Sequence, residues 1–398
     1  MRIATANAYD GALDTLTRQQ AELSQVQAQI SSQKRVARGS DDPAAAARAE
    51  RALAGVARTE ANQRALDASR NATTQVESAL GDATDLLQQA REALVASGNA
   101  SYSDAERLSL AAQIRSIRAQ LFAVANRDDG AGGYLFGGQG SSAPPFVDAP
   151  GGVRYAGTAG TMVAADPDGM PLATDGGATW LAARTGNGVF ETAAVVANGT
   201  AWIDAGRVTQ PSAVTGSTYT IAFAVAGGST TYSILKDGNP TAQTGLPYTS
   251  GQAIEVDGES AVVSGQPADG DTFELRPSTP SLSVFDVLDR VAAQLATTGR
   301  NGGQIQQATS AGLRDVDAVL SRLSSARSAA GDALNRIDAA TGRLDAQSVA
   351  LKAERSSAED LDMVQAISDF QTRQTGYDAA LKAYSMVQRL SLFQYLGP

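Results

Sequence analysis

The amino-acid sequence predicts an α+β protein: a long antiparallel helical bundle or coiled coil from both termini, carrying an inserted β-rich domain. Three observations predict it. Both ends are Ala-rich, with apolar residues recurring at seven-residue spacing. Residues 141–280 hold eleven of the thirteen prolines, both tryptophans and twenty of the 39 glycines. Within that segment short alternating runs are separated by Gly, Asn, Asp and Pro. Helices from opposite termini must pair to bury their stripes, giving a rod with a β-rich knob that suits a polymer subunit better than an enzyme. At 398 residues the chain has room for two or three domains.

The first helix places Tyr9, Leu16, Leu23 and Ile30 on one seam, with Ala6 and Leu13 completing its upper part, and stops before Arg38-Gly39. Ser40-Asp41-Asp42-Pro43 restarts a helix, with Asp as N-cap and Pro in the first turn. That second helix carries Val76, Leu80, Ala83, Leu87 and Leu94, and breaks at Ser97-Gly98-Asn99. Ser103-x-x-Glu106 forms a capping box for a third, which carries Leu110, Ile114, Ile117, Leu121 and Val124. Beyond the insert, Val284, Leu288, Val291 and Leu295 make a short helix that stops at Asn301-Gly302-Gly303. The strongest periodicity follows: Val316, Leu323, Ala330, Ile337, Leu344 and Leu351 on one seam position, Leu313, Leu320 and Leu334 on the other. Ser356 to Asp360 supplies a further cap. The last helix carries Met363, Ile367, Phe370, Tyr377, Leu381 and Tyr384, and ends in the apolar run from Leu390 to Leu396.

In the insert, strands are expected at Val189–Val196, Ala201–Asp204, Thr218–Val225, Thr231–Lys236, Ala253–Val256 and Asp271–Arg276, with turns at Gly227-Gly228 and Asp237-Gly238-Asn239-Pro240. They fit an antiparallel sandwich or small barrel, residues 141–188 being the least regular part.

Composition narrows the chemistry. With no Cys and no His, disulfides, thiol nucleophiles, Ser-His-Asp triads and His- or Cys-ligated metals are excluded. Net charge is −10; the insert, with 13 acids and 5 bases, carries −8 of it, and the helical ends, with 29 acids and 27 bases, only −2. No basic stripe argues for nucleic acid or anionic lipid. The first residues lack the apolar core of a cleaved signal peptide, and no run of about 18 apolar residues could span a bilayer.

Sharper sites give way to plainer explanations. Asp166-Pro167-Asp168-Gly169 reads as a turn, since no Glu stands where a calcium loop would need one. Glu255, Asp257 and Glu259 are expected to alternate along a strand and share one solvated face, rather than form a glycosidase pair. Asp41-Asp42 is explained by helix capping, and Trp180 and Trp202 by packing in a small β core rather than sugar binding. Gly137-Gly138-Gln139-Gly140 lacks the spacing and the Lys of a phosphate loop. No catalytic, metal or cofactor site is expected.

The outermost helices have few large seam residues and a partner far away in sequence. Isolated helices of this kind are marginal in water, so they are expected to fray alone and to order against copies of themselves. The expected assembly interface is Tyr9, Leu16, Leu23, Ile30, Phe370, Tyr377, Leu381, Tyr384, Leu390, Phe393 and Leu396.

The run Arg35-Val36-Ala37-Arg38-Gly39-Ser40-Asp41-Asp42-Pro43-Ala44 resembles the segment joining the first two helices of flagellins and their relatives, and Ser357-Ala358-Glu359-Asp360-Leu361-Asp362 the matching C-terminal joint. Gly133-Tyr134-Leu135-Phe136-Gly137-Gly138, Gly270-Asp271-Thr272-Phe273-Glu274-Leu275 followed by Val284-Phe285-Asp286, and Ser391-Leu392-Phe393-Gln394-Tyr395-Leu396 are similar to the hook-associated branch of that superfamily. One departure is Gln33, in Ser32-Gln33-Lys34-Arg35, where the family carries glycine; it bears on the sharpness of the first turn.

The resemblance implies a structural adaptor, exported through the flagellar type III apparatus without a cleaved signal and held beforehand by an export chaperone. It implies assembly with itself into a short helical ring, outside the cell, between a neighbouring hook-associated junction protein and the flagellin filament. Residues 1–42 and 356–398 would be inner-tube polymerisation segments, 43–140 and 281–355 a helical rod, and 141–280 the outer domain. No enzyme activity, cofactor, nucleic acid or membrane is implied. The alternatives are a filament flagellin, a surface adhesin whose β insert binds a ligand on a helical stalk, and, least favoured, a hydrolase within the insert.

Overall fold

The computed structural model describes residues 2–99 and 101–395, with side chains described for 10–99 and 101–386. The helices are α1 (Arg2–Ser32), α2 (Pro43–Ser97), α3 (Asp104–Ala125), α4 (Gly176–Trp180), α5 (Val284–Ala296), α6 (Gly302–Glu359) and α7 (Met363–Tyr395). The strands are β1 (Phe146–Ala149), β2 (Gly152–Tyr155), β3 (Phe190–Val196), β4 (Trp202–Ile203), β5 (Arg207–Val208) and β6 (Tyr219–Ala226). They continue with β7 (Ser229–Lys236), β8 (Asn239–Pro240), β9 (Leu246–Pro247), β10 (Ala253–Val256), β11 (Glu259–Ser264) and β12 (Thr272–Pro277). Two compact units share the chain: Met1–Arg64 with Thr341–Pro398, and Ala65–Ala340.

Local chemistry sets where the helices begin. Asp42 caps α2, its Oδ1 accepting from the N–H of Ala44 at 3.1 Å and of Ala45 at 2.9 Å. Ser103 and Glu106 form the reciprocal capping box of α3. Two sequence expectations are corrected here. Asn301-Gly302-Gly303 starts α6 instead of ending α5, which already stops at Ala296. The Asn301 side chain accepts from Gln304 N–H at 2.9 Å while Gln304 Oε1 accepts from Asn301 N–H at 3.2 Å, a reciprocal pair only an N-terminus can use. Likewise Ser356 to Ala358 remain inside α6, and the cap of α7 is Asp362, whose Oδ1 accepts from Val364 and Gln365 N–H at 3.0 and 3.1 Å.

The unit Ala65–Ala340 holds two apolar cores. In the first, Val76, Leu80, Leu87 and Leu94 of α2 meet Ile114, Ile117 and Leu121 of α3, Leu288 and Val291 of α5, and Val316, Leu320 and Leu323 of α6. The stretch that looked irregular in sequence supplies this core with its aromatics. Trp180 stacks on Phe285 at 5.9 Å and meets Phe136 edge-on at 5.3 Å, while Phe146 of β1 packs against both Trp180 and Phe285. Trp180 therefore belongs to the helical core and not, as the sequence suggested, to that of the β domain. Gly138 is required where this segment folds back: at φ +72° its place for a Cβ lies 1.7 Å from the Thr158 carbonyl oxygen.

The second core is an antiparallel sandwich, one of the two arrangements the strand pattern allowed. One sheet runs β3-β12-β6-β7-β8, with β9 also on β7; the other runs β10-β11-β4, with β5 also on β11. Phe190, Ile203, Tyr219, Ile221, Phe223, Ile234, Phe273 and Leu275 fill the space between them. Three two-residue hairpins fix the register: Gly227-Gly228 between β6 and β7, Asp237-Gly238 between β7 and β8, and Asp257-Gly258 between β10 and β11. All six turn residues have positive φ, the geometry whose twist matches paired strands.

In the other unit, α1 packs antiparallel along α7, and the two are bound by an ion pair between Glu22 and Arg373. Further along, the N-terminal part of α2 closely approaches the end of α6. A Cβ at Gly55 would come within 3.0 Å of the Leu351 methyl carbons.

Candidate assembly surface

The two chain ends are tied at a joint built from local hydrogen bonding. Lys34 and Asp360 form an antiparallel bridge; Arg35 and Val36 N–H both donate to the Glu359 carbonyl, at 2.7 and 3.3 Å, and Leu361 N–H donates to that of Gln33 at 3.1 Å. Side chains reinforce it. Arg35 donates to the Ala358 carbonyl at 2.7 Å and pairs with Asp42 at 3.3 Å, while Lys34 and Arg355 both reach Glu359, at 3.2 and 2.8 Å. The Ala45 N–H and then Arg35 hold the Asp42 carboxyl below the usual carboxylate range. Asp41 accepts from Ala37 and Arg38 N–H, so both acids are engaged in shaping the joint. Gln33 sits at its turn with φ +58°, the left-handed conformation that glycine adopts without strain.

From this joint α1 and α7 run back alongside each other. Leu16, Leu23, Ile30, Phe370, Tyr377 and Tyr384 are all half-buried, and Leu381 is exposed at 40%. None of these predicted contact residues is fully covered within the chain. The predicted interface also includes Tyr9, Leu390 and Phe393, whose side chains lie outside the described ones, and Leu396, which lies outside the described residues.

The second seam of α1 differs from expectation. Leu13 is exposed, whereas Ala12 and Gln19 are half-buried and Val26 is buried. The packed positions thus alternate by four and three from Ala12 through Leu16, Gln19, Leu23 and Val26 to Ile30. Reading the leucines alone misplaced that line by one residue, and the four-three spacing was the signal that could have found it. Val26 and the buried Ala366 of α7 were missed. Beside the packed face of α7, Val364 is 82% and Ile367 45% exposed.

The other candidates dissolve into structure. Asp166 Oδ1 accepts from Met170 N–H at 2.9 Å, closing an ordinary turn. Glu255, Asp257 and Glu259 do not share a solvated face. Asp257 lies in the hairpin turn, where it accepts from Tyr219 Oη and Lys236 Nζ, each at 2.6 Å. The turn reverses the chain and carries Glu259 into the sandwich, 2% exposed. Burial and then the nearby Asp257 charge push the Glu259 carboxyl up to about 6. Trp202 is half-buried on β4. Among the described residues, no group of three or more acids is placed to hold a metal ion, and no helix is long and apolar enough to cross a membrane.

Comparison with known proteins agrees with this layout. Residues 3–141 match the bacterial flagellin N-terminal helical region, and residues 313–396 the bacterial flagellin C-terminal helical region. The flagellar hook-associated protein 3 of Salmonella typhimurium is 41% identical over 155 residues, 38% of this chain and 48% of that protein, so the match spans about half of that relative. Its counterpart from Escherichia coli is 26% identical over 401 residues, 99% of each chain. The crystal structure of flagellar hook associated protein-3 from Legionella pneumophila superposes with a TM-score of 0.71 at 26% identity, over 77% of this chain and 99% of that one. The paired terminal helices, the joint between them and the inserted antiparallel domain all agree with these matches: the chain belongs to the flagellin superfamily, in its hook-associated protein 3 branch.

Proposed function

We propose that this chain is the structural adaptor subunit of the hook–filament junction, forming with its own copies a short helical ring on which the filament is built. Membership of the hook-associated branch places it in the bacterial flagellum, assembled with other flagellar components. The observation that carries the finer reading is the incomplete burial of the α1 and α7 seams, where large apolar and aromatic residues stay half-covered. Such a surface is completed by like helices from neighbouring copies, because heptad seams accept more than one partner.

In this reading residues 1–42 and 356–398 line the inner tube, residues 43–140 and 281–355 form the surrounding helical layer, and residues 141–280 face outward. The neighbours above and below are the adjoining hook-associated junction protein and flagellin. Export proceeds through the flagellar type III apparatus with no cleaved signal, an export chaperone covering the C-terminal helix beforehand. The role is mechanical, matching two differently stiff polymers, and requires no catalysis and no nucleic-acid or membrane contact.

Immunogold labelling of intact flagella with antibody to residues 141–280 tests this. A single band where hook meets filament is expected. Label along the whole filament would make the chain a filament flagellin, and absence of label from flagella would return the adhesin reading to the front.

A further inference from the structure

A cavity of about 570 Å³ opens between β3 and the connection from α5 to α6. Its charges fall into two sets. Arg314 and Arg290 are neutralised within the fold: Asp315 lies 3.0 Å from Arg314 and 2.7 Å from Arg290, and Glu191 lies 3.7 Å from Arg314. Arg300, also lining the cavity, is different. It is half-buried, yet it has no carboxylate partner and no hydrogen-bond acceptor among the described residues. Burial alone lowers its guanidinium below the ordinary arginine range.

Other arginines withdrawn from solvent in the same unit are matched. Arg107 donates to the carbonyls of Ser97 and Asn99, Arg118 pairs with Asp148 and Asp289, and Arg322 donates to the Ala178 carbonyl. A cation held partly out of water with nothing to pair with is unfavourable. Three arginines against two carboxylates leave the cavity with one positive charge to answer.

The rest of the lining suits an anion delivered on a side chain. Gln307 Oε1 already accepts from Ile203 N–H at 2.8 Å, which leaves its amide nitrogen to donate. Ala308 and Ala311 contribute only small groups to the wall. A carboxylate takes two parallel hydrogen bonds from a guanidinium, the strongest pairing Arg300 could make.

We propose that this cavity is a carboxylate-binding site, filled on assembly by an acidic side chain from the inserted domain of a second copy of this chain. The inference rests on the ring reading. The charge distribution selects the occupant: residues 141–280 carry 13 acids against 5 bases, whereas the helical ends carry 29 against 27. In a ring of identical subunits a neighbour's inserted domain is therefore the part of the chain in which acids most outnumber bases.

A photo-crosslinking amino acid in place of Thr298, which lines the cavity and is exposed, tests the proposal on assembled flagella. The expected product is a dimer of the chain in which the second peptide lies within residues 141–280 and contains Asp or Glu. Arg300→Glu should reduce it about tenfold or more, the loss corresponding to about 1.4 kcal/mol, with Arg300→Lys retaining most of it. The purified Arg300→Ala chain should melt no lower than the wild type, because it removes an unpaired, partly buried charge. Where immunogold shows the junction band, absence of the dimer, or a dimer unaffected by Arg300→Glu, overturns the cavity proposal and leaves the ring reading standing. Unfolding of the Arg300→Ala monomer overturns it too, since Arg300 would then be a structural residue. A wild-type chain missing from the junction overturns the ring reading and the proposal together.

Discussion

Replacing Val364 by Asp should separate assembly from folding. With about 3.6 residues per turn, Met363, Phe370, Tyr377 and Tyr384 fall on one face of α7, with Ile367 on its flank and Val364 further round. Fully burying an aliphatic side chain of this size is worth about 1.5–3 kcal/mol. Scaled by the 82% of Val364 and the 45% of Ile367 still exposed, covering them would contribute about 1.2–2.5 and about 0.7–1.4 kcal/mol. The pair is thus worth about 2–4 kcal/mol for each subunit contact, a factor of about thirty to about a thousand in association. A carboxylate in the same place adds a desolvation cost, so these figures are lower bounds.

The isolated chain should barely notice the Val364 change. Val364 lies in the first turn of α7, two residues after its cap Asp362, and a negative charge there interacts favourably with the helix N-terminus. Ile367→Asp gives up the contact that Ile367 already makes, so it serves as the second, stronger variant. The assay compares circular dichroism and urea midpoints of the purified chains with junction labelling and filament formation in cells. Val364→Asp is expected to unfold within about 0.5 kcal/mol of the wild type and to lose incorporation. A variant that folds normally and labels the junction as densely as the wild type would refute the assembly role of this side of α7.

Three further changes test the fold beneath that surface. Gln33→Gly relieves the left-handed turn at the joint and should raise the urea stability of the purified chain by about 1 kcal/mol; no gain would mean that the turn is unstrained. Glu259→Gln tests the buried carboxyl. Its folded pKa of about 6 lies above the ordinary 4.5, so both states are protonated below 4.5 and the penalty grows as pH rises through 6. The variant should therefore be more stable by about 2 kcal/mol at about pH 7.5 and equal to wild type at about pH 4, which parallel urea titrations would show. Trp180→Ala, which empties the centre of the aromatic cluster, should cost about 3–5 kcal/mol in urea unfolding. Trp180→Phe should cost less, since the indole N–H is buried without a partner and its loss is no penalty.

Much of this architecture was legible because its causes are local. The Asp42 cap, the Ser103–Glu106 box and the heptads of α6 each depend on residues a few positions apart, and each is seen where expected. Six of the strands were marked by alternation, and two of the hairpins by their Gly-Gly and Asp-Gly turns. What escaped depended on distant partners or on competing local signals. Asp257-Gly258 was hidden by an acidic alternation that spans the turn, so a buried glutamate looked like a solvated one. The aromatics Phe136, Phe146 and Trp180 show no period, and only the folded chain brings them into one core with Phe285. In α1 the leucines marked a helix face correctly but not its second line, because Gln19 occupies a packed position and Leu13 an exposed one.

The placement of side-chain bulk bears directly on function. In the unit Ala65–Ala340 the fully buried residues include Trp180, Phe136, Phe146, Phe285, Tyr219 and Phe273, each of which removes a large apolar area from water. In the unit made by the two chain ends, the buried apolar side chains among the described residues are Val26, Val36, Val56, Ala45, Ala49, Ala52, Ala358 and Ala366. Alanine and valine bury little area each, so this unit draws little hydrophobic stabilisation from within the chain. Its larger residues, among them Leu16, Leu23, Phe370, Tyr377 and Tyr384, stay half-covered. Were the hairpin meant only to fold on itself, the large residues would occupy the buried positions and the alanines the edge. The reverse arrangement leaves the unit's large apolar side chains half-covered, and on the proposed reading a neighbour completes them, which is why a single carboxylate beside that face should act on assembly far more than on folding.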